Sequence, residues 1–465
     1  MTTKGTPNPN INDISSKSRE NESSSSSSST TRSILWRLFR LTVVSLVLEV
    51  AVALKKYVNH GSFTPWTCSV FGYQCSRLYD VPFNGYVHKD YITAQEVFKQ
   101  NFYSGEEVGA ATAAYVDGEL VLDIQGGWQD PDKNIPYTDK TLQMVFSSTK
   151  ALTSIVVAQF VEKGVLSYDE KISTYWPEFS QGNKENVTLG DLMQHAAGVG
   201  YLENGITTAE LEDPERRSHI LAEQPHNFGG RVAGRTVNDV AADLNEKYGI
   251  EWYLRPYQEE YDYRISSFYT APTIIRIYST IKELGGIGNF FKAILNPDEN
   301  VMKSVASLPD GVATSAFPSL RLRRVESPSY SGHTNARSIA KLAAMMANKG
   351  KAIVDGEPDL LSTETYNLVT EPVPLDFDVF FKRHINCVKG GWGNHEDFSV
   401  EGVQFIGWPG FGGSTFFWNH ELKIGFGYHM NGIASGTIQS PDNRSMSILG
   451  AIVKEALKKK NNTSR

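Results

Sequence analysis

The chain has 465 residues, of which 40% are apolar and 11% aromatic, and its formal net charge is −7. This length supports a large hydrophobic core and more than one subdomain. The mild acidity excludes an extended phosphate-binding surface, which needs clustered Lys and Arg, so no nucleic-acid partner is expected.

The N-terminal region divides into a polar leader and an apolar stretch. Residues 1–33 contain the serine run Ser23–Ser29 and bury too little surface to offset their ordering entropy, so we predict a disordered leader. Residues 34–56 are predicted to form an uncleaved signal anchor, a single transmembrane segment. A buried amphipathic helix and a signal-peptidase site at Ala51–Ala53 are the alternatives.

The charges around this stretch predict its orientation. Three arginines lie at its N-terminal side and two lysines at the other: Arg32, Arg37, Arg40, Lys55 and Lys56. The slight excess places the large domain across the membrane, in a lumenal or extracellular compartment. Cys68 and Cys75, in a linker predicted at 57–84, would close a disulfide loop there. A mitochondrial location is the alternative.

The elements that follow are predicted from local patterns. "VGAATAAYVDGELVLDIQGGW" indicates two strands joined at Asp117-Gly118, a tight-hairpin dipeptide. "MVFSSTKALTSIVVAQFVEKGVL" has apolar residues at helical spacing, with Gly164 as its stop. A mixed helical region over about 180–350 ends in "NARSIAKLAAMMANKG", a helix that Gly350 terminates.

The C-terminal part alternates as strands do before it returns to a helical period. "GVQFIGW", "STFFWNH" and "KIGFGYHM" are aromatic-rich and predict a meander of antiparallel strands. "SMSILGAIVKEALKKK" predicts a final helix. Strands at both ends around a helical middle indicate one α+β domain over 85–460, whose sheet the C-terminus completes.

Ser147 and Lys150 stand out as candidate catalytic residues. An S-x-x-K pattern alone proves little, because the chain also contains it at Ser279/Lys282 and Ser338/Lys341. Ser147, however, lies where a strand meets a helix N-terminus, whose free N–H groups stabilise developing negative charge. A lysine can take the serine proton if burial lowers its pKa. The alternative is a helix cap and a solvated charge.

The wider sequence resembles the serine β-lactamase and penicillin-binding-protein superfamily, in its class C-type branch with related esterases and eukaryotic β-lactamase-domain proteins. The likeness rests on four segments in the same order along the chain: "SSTK" at 147–150, "TLGDLMQHAAGV" at 188–199, "SGHTNARSIAKLAAMMANKG" at 331–350 and "GWPGFGGSTFFWNHELKIGFGYHMNG" at 407–432. Together they span most of the chain from about residue 108 onward. The resemblance implies a β-lactamase/transpeptidase-like fold, an antiparallel sheet flanked by helices beside a mostly helical subdomain.

The resemblance also implies roles for individual residues. Ser147 would be the acylated nucleophile and Lys150 its proton partner. The backbone N–H groups of Ser147 and Phe411 would form the oxyanion hole. The family's K/H-T/S-G motif falls on Trp408-Pro409-Gly410, and Gly410 fits close approach of a substrate backbone. Because Trp408 is not cationic, esterase chemistry on an ester or amide of a small molecule or peptide is favoured over β-lactam turnover.

A second departure from the family concerns a tyrosine that helps to move the proton. The segment that should carry it is missing around Gly229–Gly234, and Tyr248, Tyr253 and Tyr261 lack its context. The only Y-x-N, Tyr57-Val58-Asn59, precedes the nucleophile. The alternative function is therefore a catalytically impaired relative that serves as a binding or assembly module.

Other site chemistries are not indicated. The ten histidines are scattered without metal-ligand spacing, so neither a metal nor a cofactor is expected. His195 and His333 are predicted to be structural, and Cys387 to be a buried thiol. The sequence leaves the oligomeric state open.

Overall fold

The computed structural model describes residues 25–59, 61–73, 75, 80–226, 244–254, 256, 259–283, 285–296, 303, 325–374, 376–378, 383–433 and 441–463. The chain divides into two compact units, Met1–Asn59 and His60–Arg465. The missing tyrosine segment around Gly229–Gly234 lies outside the described residues.

The described residues of the first unit form one helix, α1 (Ser25–Asn59). It begins within the segment 1–33 that the sequence predicts to be a disordered leader, and residues 1–24 lie outside the described part. A helix that has nucleated on an apolar stretch extends at little cost per residue, because nucleation is the expensive step. The prediction of a disordered leader used polar composition alone and did not consider the apolar stretch at 34–56 that follows it.

The predicted transmembrane segment at 34–56 is not supported. Among the residues that the structure describes, no helix is both long and apolar enough to span a bilayer. The physical reason is the spacing of charges, because residues 34–56 of α1 include five of them: Arg37, Arg40, Glu49, Lys55 and Lys56. A span needs about 20 predominantly apolar residues in succession.

The second unit combines helices with mostly short strands. The described helices are α2 (Trp66–Phe71), α3 (Ile92–Tyr103), α4 (Thr149–Glu162), α5 (Ile172–Tyr175), α6 (Leu189–Met193), α7 (Thr208–Glu212), α8 (Pro214–Glu223), α9 (Glu259–Asp262), α10 (Thr273–Glu283), α11 (Ile287–Leu295), α12 (Ala336–Ala347), α13 (Thr363–Val369) and α14 (Asn443–Thr463). The described strands are β1 (Phe83–Val87), β2 (Gly109–Val116), β3 (Glu119–Asp130), β4 (Ile135–Pro136), β5 (Gln143–Met144), β6 (Trp252–Tyr253), β7 (Tyr269–Thr270), β8 (His333–Thr334), β9 (Asp376–Asp378), β10 (Arg383–Ile385), β11 (Ser399–Val400), β12 (Val403–Gln404), β13 (Ile406–Pro409), β14 (Thr415–Asn419), β15 (Ile424–Met430) and β16 (Gly432–Ile433).

The main sheet is antiparallel and joins both ends of the unit. Its strand order is β1-β3-β2-β15-β14-β13, with β4 paired to β3. The β2–β3 hairpin turns at Asp117 and Gly118, whose φ angles of 50° and 82° are those that a tight hairpin requires. The C-terminal strand β15 pairs with β2. The predicted α+β class and the completion of the sheet by the C-terminus are both confirmed.

Each face of the sheet has its own hydrophobic core because strand side chains alternate. On β14, Phe416 and Trp418 belong to a core that α4 and α12 cover, whereas Phe417 belongs to one that α3 and α14 cover. Helix α12 lies close to β15, where a side chain at Gly425 or Gly427 would collide with the helix backbone. These close approaches fix α12 against the sheet, on the face that α4 also covers.

The cysteines divide as the sequence predicted. Cys68 and Cys75 form a disulfide with a Cα–Cα distance of 5.0 Å, and the loop that they close begins within α2. Cys387 is a free, buried thiol.

Candidate active site

The turn that carries Ser147 is strained and held by aromatic packing. Phe146–Ser148 form a one-turn 3-10 helix that leads directly into α4. Phe146 has a φ of 44°, which a bulky residue rarely adopts. Its ring packs against Phe268 at 4.9 Å and Phe411 at 5.4 Å between centroids. The turn therefore presents Ser147, half-buried, at the N-terminal end of α4.

Lys150 lies one turn further and faces the same serine. Its Nζ is 3.0 Å from Ser147 Oγ and 2.9 Å from the carbonyl oxygen of Ser329. In the described part of the chain, no carboxylate forms an ion pair with this ammonium group. Burial lowers the pKa of Lys150 from 10.5 to about 7. A large fraction of Lys150 is then neutral at physiological pH, as a proton acceptor must be.

A loop in front of α12 holds this arrangement from the other side. The Gly332 N–H donates to Thr149 Oγ1 at 3.0 Å, and Thr153 Oγ1 donates to the Pro328 carbonyl at 2.7 Å. The Ser329 carbonyl is thereby fixed over α4. No sequence signal could have identified Ser329, because the contact uses a backbone oxygen that every residue type carries.

The geometry separates Ser147/Lys150 from the other two S-x-x-K pairs. Lys341 donates to Glu357 Oε1 at 2.6 Å and to the Tyr248 carbonyl at 2.7 Å, while Ser338 Oγ accepts the Glu251 N–H. Lys282 is exposed on α10.

The predicted substrate strand lies directly beside the turn that carries Ser147. Trp408 ends β13, and Gly410 leads into the Phe411–Gly413 turn. A Cβ at Gly410 would collide with the Val145 carbonyl oxygen, so only glycine allows this approach. The structure thus brings all five predicted site residues to one region.

Trp408 is flanked by a histidine ring. Its ring stacks on His195 with 4.9 Å between centroids and an interplanar angle of 12°. His195 has a φ of 65°, in agreement with a turn residue. His333 lies on β8, where its Nδ1 is 2.8 Å from the Ser331 carbonyl.

Arg444 supports the Phe411–Gly413 turn through a hydrogen bond to its backbone. The buried guanidinium of Arg444 donates to the carbonyl of Gly412 at 2.8 Å and pairs with Glu107 at 3.0 Å and Asp442 at 2.7 Å. Sequence reasoning missed Arg444 because two of these partners, Gly412 and Glu107, lie 32 and 337 positions away in the chain.

The downstream tyrosines considered as proton carriers serve packing. Tyr248 donates to the Asp359 carbonyl at 3.2 Å, and Tyr253 donates to Glu251 at 3.3 Å. Tyr261 packs on Tyr253 with 4.7 Å between ring centroids. Across the described ranges, no group of three or more His, Cys, Asp or Glu is placed to hold a metal ion.

Comparison with known proteins agrees with the sequence resemblance. Residues 94–233 match the family model described as Beta-lactamase. The chain is 33% identical over 133 residues to the esterase/beta-lactamase LipL of Mycobacterium tuberculosis, covering 29% of each chain. It is 29% identical over 154 residues to the putative penicillin-binding protein PbpX of Bacillus subtilis, covering 31% of this chain and 38% of that one. These matches span about a third of the relatives' length.

Solved structures share the fold over most of this chain. A penicillin-binding-protein homologue from Caulobacter crescentus superimposes with a TM-score of 0.66 at 23% identity, covering 80% of this chain and all of the other. A family VIII carboxylesterase gives a TM-score of 0.63 at 22% identity with the same coverage. The fold is therefore the β-lactamase/transpeptidase-like one that the resemblance implies. Residues 94–233 thus match the Beta-lactamase family, and they lie within a chain that has the β-lactamase/transpeptidase-like fold.

Proposed function

We propose that the protein is a serine hydrolase that forms an acyl intermediate on Ser147 from an ester or amide of a small molecule or peptide. The observation that carries the proposal is the 3.0 Å contact between Ser147 Oγ and Lys150 Nζ, at a lysine whose pKa is lowered to about 7. A hydroxyl becomes an effective nucleophile when an adjacent base takes its proton.

The acylation step uses Lys150 first as a base and then as an acid. Neutral Lys150 Nζ accepts the Ser147 proton while Oγ bonds to the substrate carbonyl carbon. The resulting ammonium returns that proton to the leaving group as its bond to the carbonyl carbon breaks. Water then attacks the acyl carbon and gives a proton to Lys150. Lys150 passes that proton to Ser147 Oγ as the bond between Oγ and the acyl carbon breaks. Backbone N–H groups of Ser147 and Phe411 are proposed to bind the oxyanion.

The surroundings of the site favour uncharged esters. Aromatic rings of Phe146, Phe268 and Phe411 pack together beside the nucleophile, and Trp408 offers an indole where the family motif carries a cation. A substrate carboxylate would find no fixed positive partner on this strand. The relative LipL is described as an esterase/beta-lactamase and one structural neighbour as a carboxylesterase, which supports ester substrates.

The test is covalent labelling of the folded full chain by a fluorophosphonate probe, read by intact-mass spectrometry and peptide mapping. We expect one adduct on Ser147, its loss in Ser147→Ala, and its retention in Ser279→Ala. The latter is a matched control because Ser279 belongs to an S-x-x-K pair whose Lys282 is exposed. A folded wild-type chain that stays unlabelled refutes the hydrolase and favours the binding or assembly module.

A further inference from the structure

Two segments far apart in the chain meet at the candidate oxyanion hole. The nucleophile turn, residues 145–148, supplies the Ser147 N–H, and the strand end, residues 408–414, supplies the Phe411 N–H. Ser414 Oγ donates to the Val145 carbonyl at 2.6 Å. Ser148 Oγ donates to the Trp408 carbonyl at 3.1 Å. Each segment thus offers a hydroxyl to a backbone carbonyl of the other.

The two hydroxyls also contact each other and have no other described role. The Oγ atoms of Ser148 and Ser414 are 3.0 Å apart, and both side chains are at most 1% exposed. A hydroxyl has one proton to donate and two lone pairs. Ser414 gives its proton to Val145, so its oxygen accepts, and Ser148 gives its proton to Trp408 or to Ser414. The two protons therefore satisfy two of the three contacts at a time, without water.

Backbone contacts make this bridge a constraint on spacing. The Ser414 carbonyl accepts the Gly410 N–H at 2.7 Å, and the Val145 carbonyl accepts the Ser148 N–H at 3.1 Å. Ser414, whose hydroxyl binds the strand end to Val145, is thus also hydrogen-bonded to Gly410, the residue before Phe411. A shift of either segment would break contacts in both.

We propose that Ser148 and Ser414 are positioning residues that set the separation and direction of the Ser147 and Phe411 N–H groups. The proposal rests on the proposed hydrolase function for its catalytic consequence, whereas the coupling of the two segments stands independently of it. Donors that are fixed before reaction stabilise developing charge without reorganisation, and small misplacements are costly.

The experiment compares Ser414→Ala and Ser148→Ala with a matched control, Thr112→Val. Thr112 is also fully buried and donates to a strand carbonyl, that of Gly427 at 3.0 Å, in the middle of the sheet. Two quantities are measured on the full chain. One is steady-state hydrolysis of p-nitrophenyl acetate, and the other is amide hydrogen exchange of peptides that cover 145–148 and 408–414.

We expect either serine variant to lower kcat by roughly 10- to 100-fold with little change in KM, because the loss falls on the transition state. We also expect either variant to speed exchange in both segments, and Thr112→Val to do neither. Exchange confined to the mutated segment, or kcat values that match the control, would overturn the proposal. If wild-type Ser147 is never acylated, the hydrolase function fails, and the exchange result alone still decides whether the bridge couples the segments.

Discussion

The pH dependence of acylation tests the role of Lys150 most directly. A lysine with the ordinary pKa of 10.5 is neutral in about one molecule in 3,000 at pH 7. Burial lowers the pKa of Lys150 to about 7, so about half of the molecules carry the neutral amine. The structure therefore predicts an increase of about three orders of magnitude in the fraction that can accept the Ser147 proton at that pH.

The assay is kcat/KM for p-nitrophenyl acetate from about pH 5 to about pH 9, which reports groups in the free enzyme. We expect the rate to rise with pH through an apparent pKa of about 7 and then to level off. Lys150→Arg should remove the acylation at every pH, because a guanidinium stays protonated. Lys282→Met is the control, since that lysine is exposed and should leave the profile unchanged.

Two results would refute this reasoning. A rate that is flat near pH 7 and rises only close to pH 10 would show that the amine is solvated in the working enzyme. Activity that survives in Lys150→Arg with the wild-type profile would show that another group takes the Ser147 proton.

Three further variants test the packing around the site. Gly410→Ala should abolish acylation, because its methyl would collide with the Val145 carbonyl; labelling by the fluorophosphonate checks this, and unchanged labelling would contradict it. Arg444→Met should lower the free energy of unfolding by at most about 3–5 kcal/mol, since it leaves Glu107 buried with only its hydrogen bond from Tyr428; chemical denaturation measures this, and a neutral effect would contradict it. Lys150→Met should raise stability below pH 7 by at most about 5 kcal/mol, because the wild type then buries a charged amine. The unfolded chain holds that proton up to pH 10.5 and the folded chain only to about 7, so the gain should vanish as the pH rises through this window in denaturation curves.

Local signals in the sequence predicted much of the fold. The Asp117-Gly118 turn was identifiable because few residues tolerate its positive φ angles, and the observed β2–β3 hairpin uses them. Gly350, with a φ of 82°, lies just beyond the end of α12 as the pattern indicated. Such features depend on a few neighbouring residues, so the sequence alone suffices to find them.

The contacts that shape the site depend instead on distant residues. Lys150 meets the Ser329 carbonyl across 179 positions, and Ser414 meets the Val145 carbonyl across 269. Serines and carbonyls are common, and their pairing follows only from how α4, α12 and β13 pack. The pattern could therefore identify the Ser147 nucleophile as a candidate but could not identify the residues that position it.

The N-terminal helix is the place where the sequence prediction and the structure differ most. The apolar stretch over 34–56 predicted a membrane span, whereas no helix in the described part of the chain is both long and apolar enough for one. The charges at Arg40 and Glu49 bound the apolar core of that stretch, and a bilayer responds to each charge at its depth.

The proposed mechanism asks one lysine to serve in both proton transfers, and the surroundings of Lys150 are compatible with that. Every described contact of Lys150 Nζ is to Ser147 Oγ or to the Ser329 carbonyl, which is neutral. A carboxylate partner would stabilise the ammonium and hold the pKa high, and the amine would then be a poor base. A neutral carbonyl orients the amine while burial alone lowers its pKa to about 7, where it accepts a proton from serine and returns it with similar ease. This balance suits esters best, because an alkoxide or phenolate leaving group needs less help from an acid than an amine does.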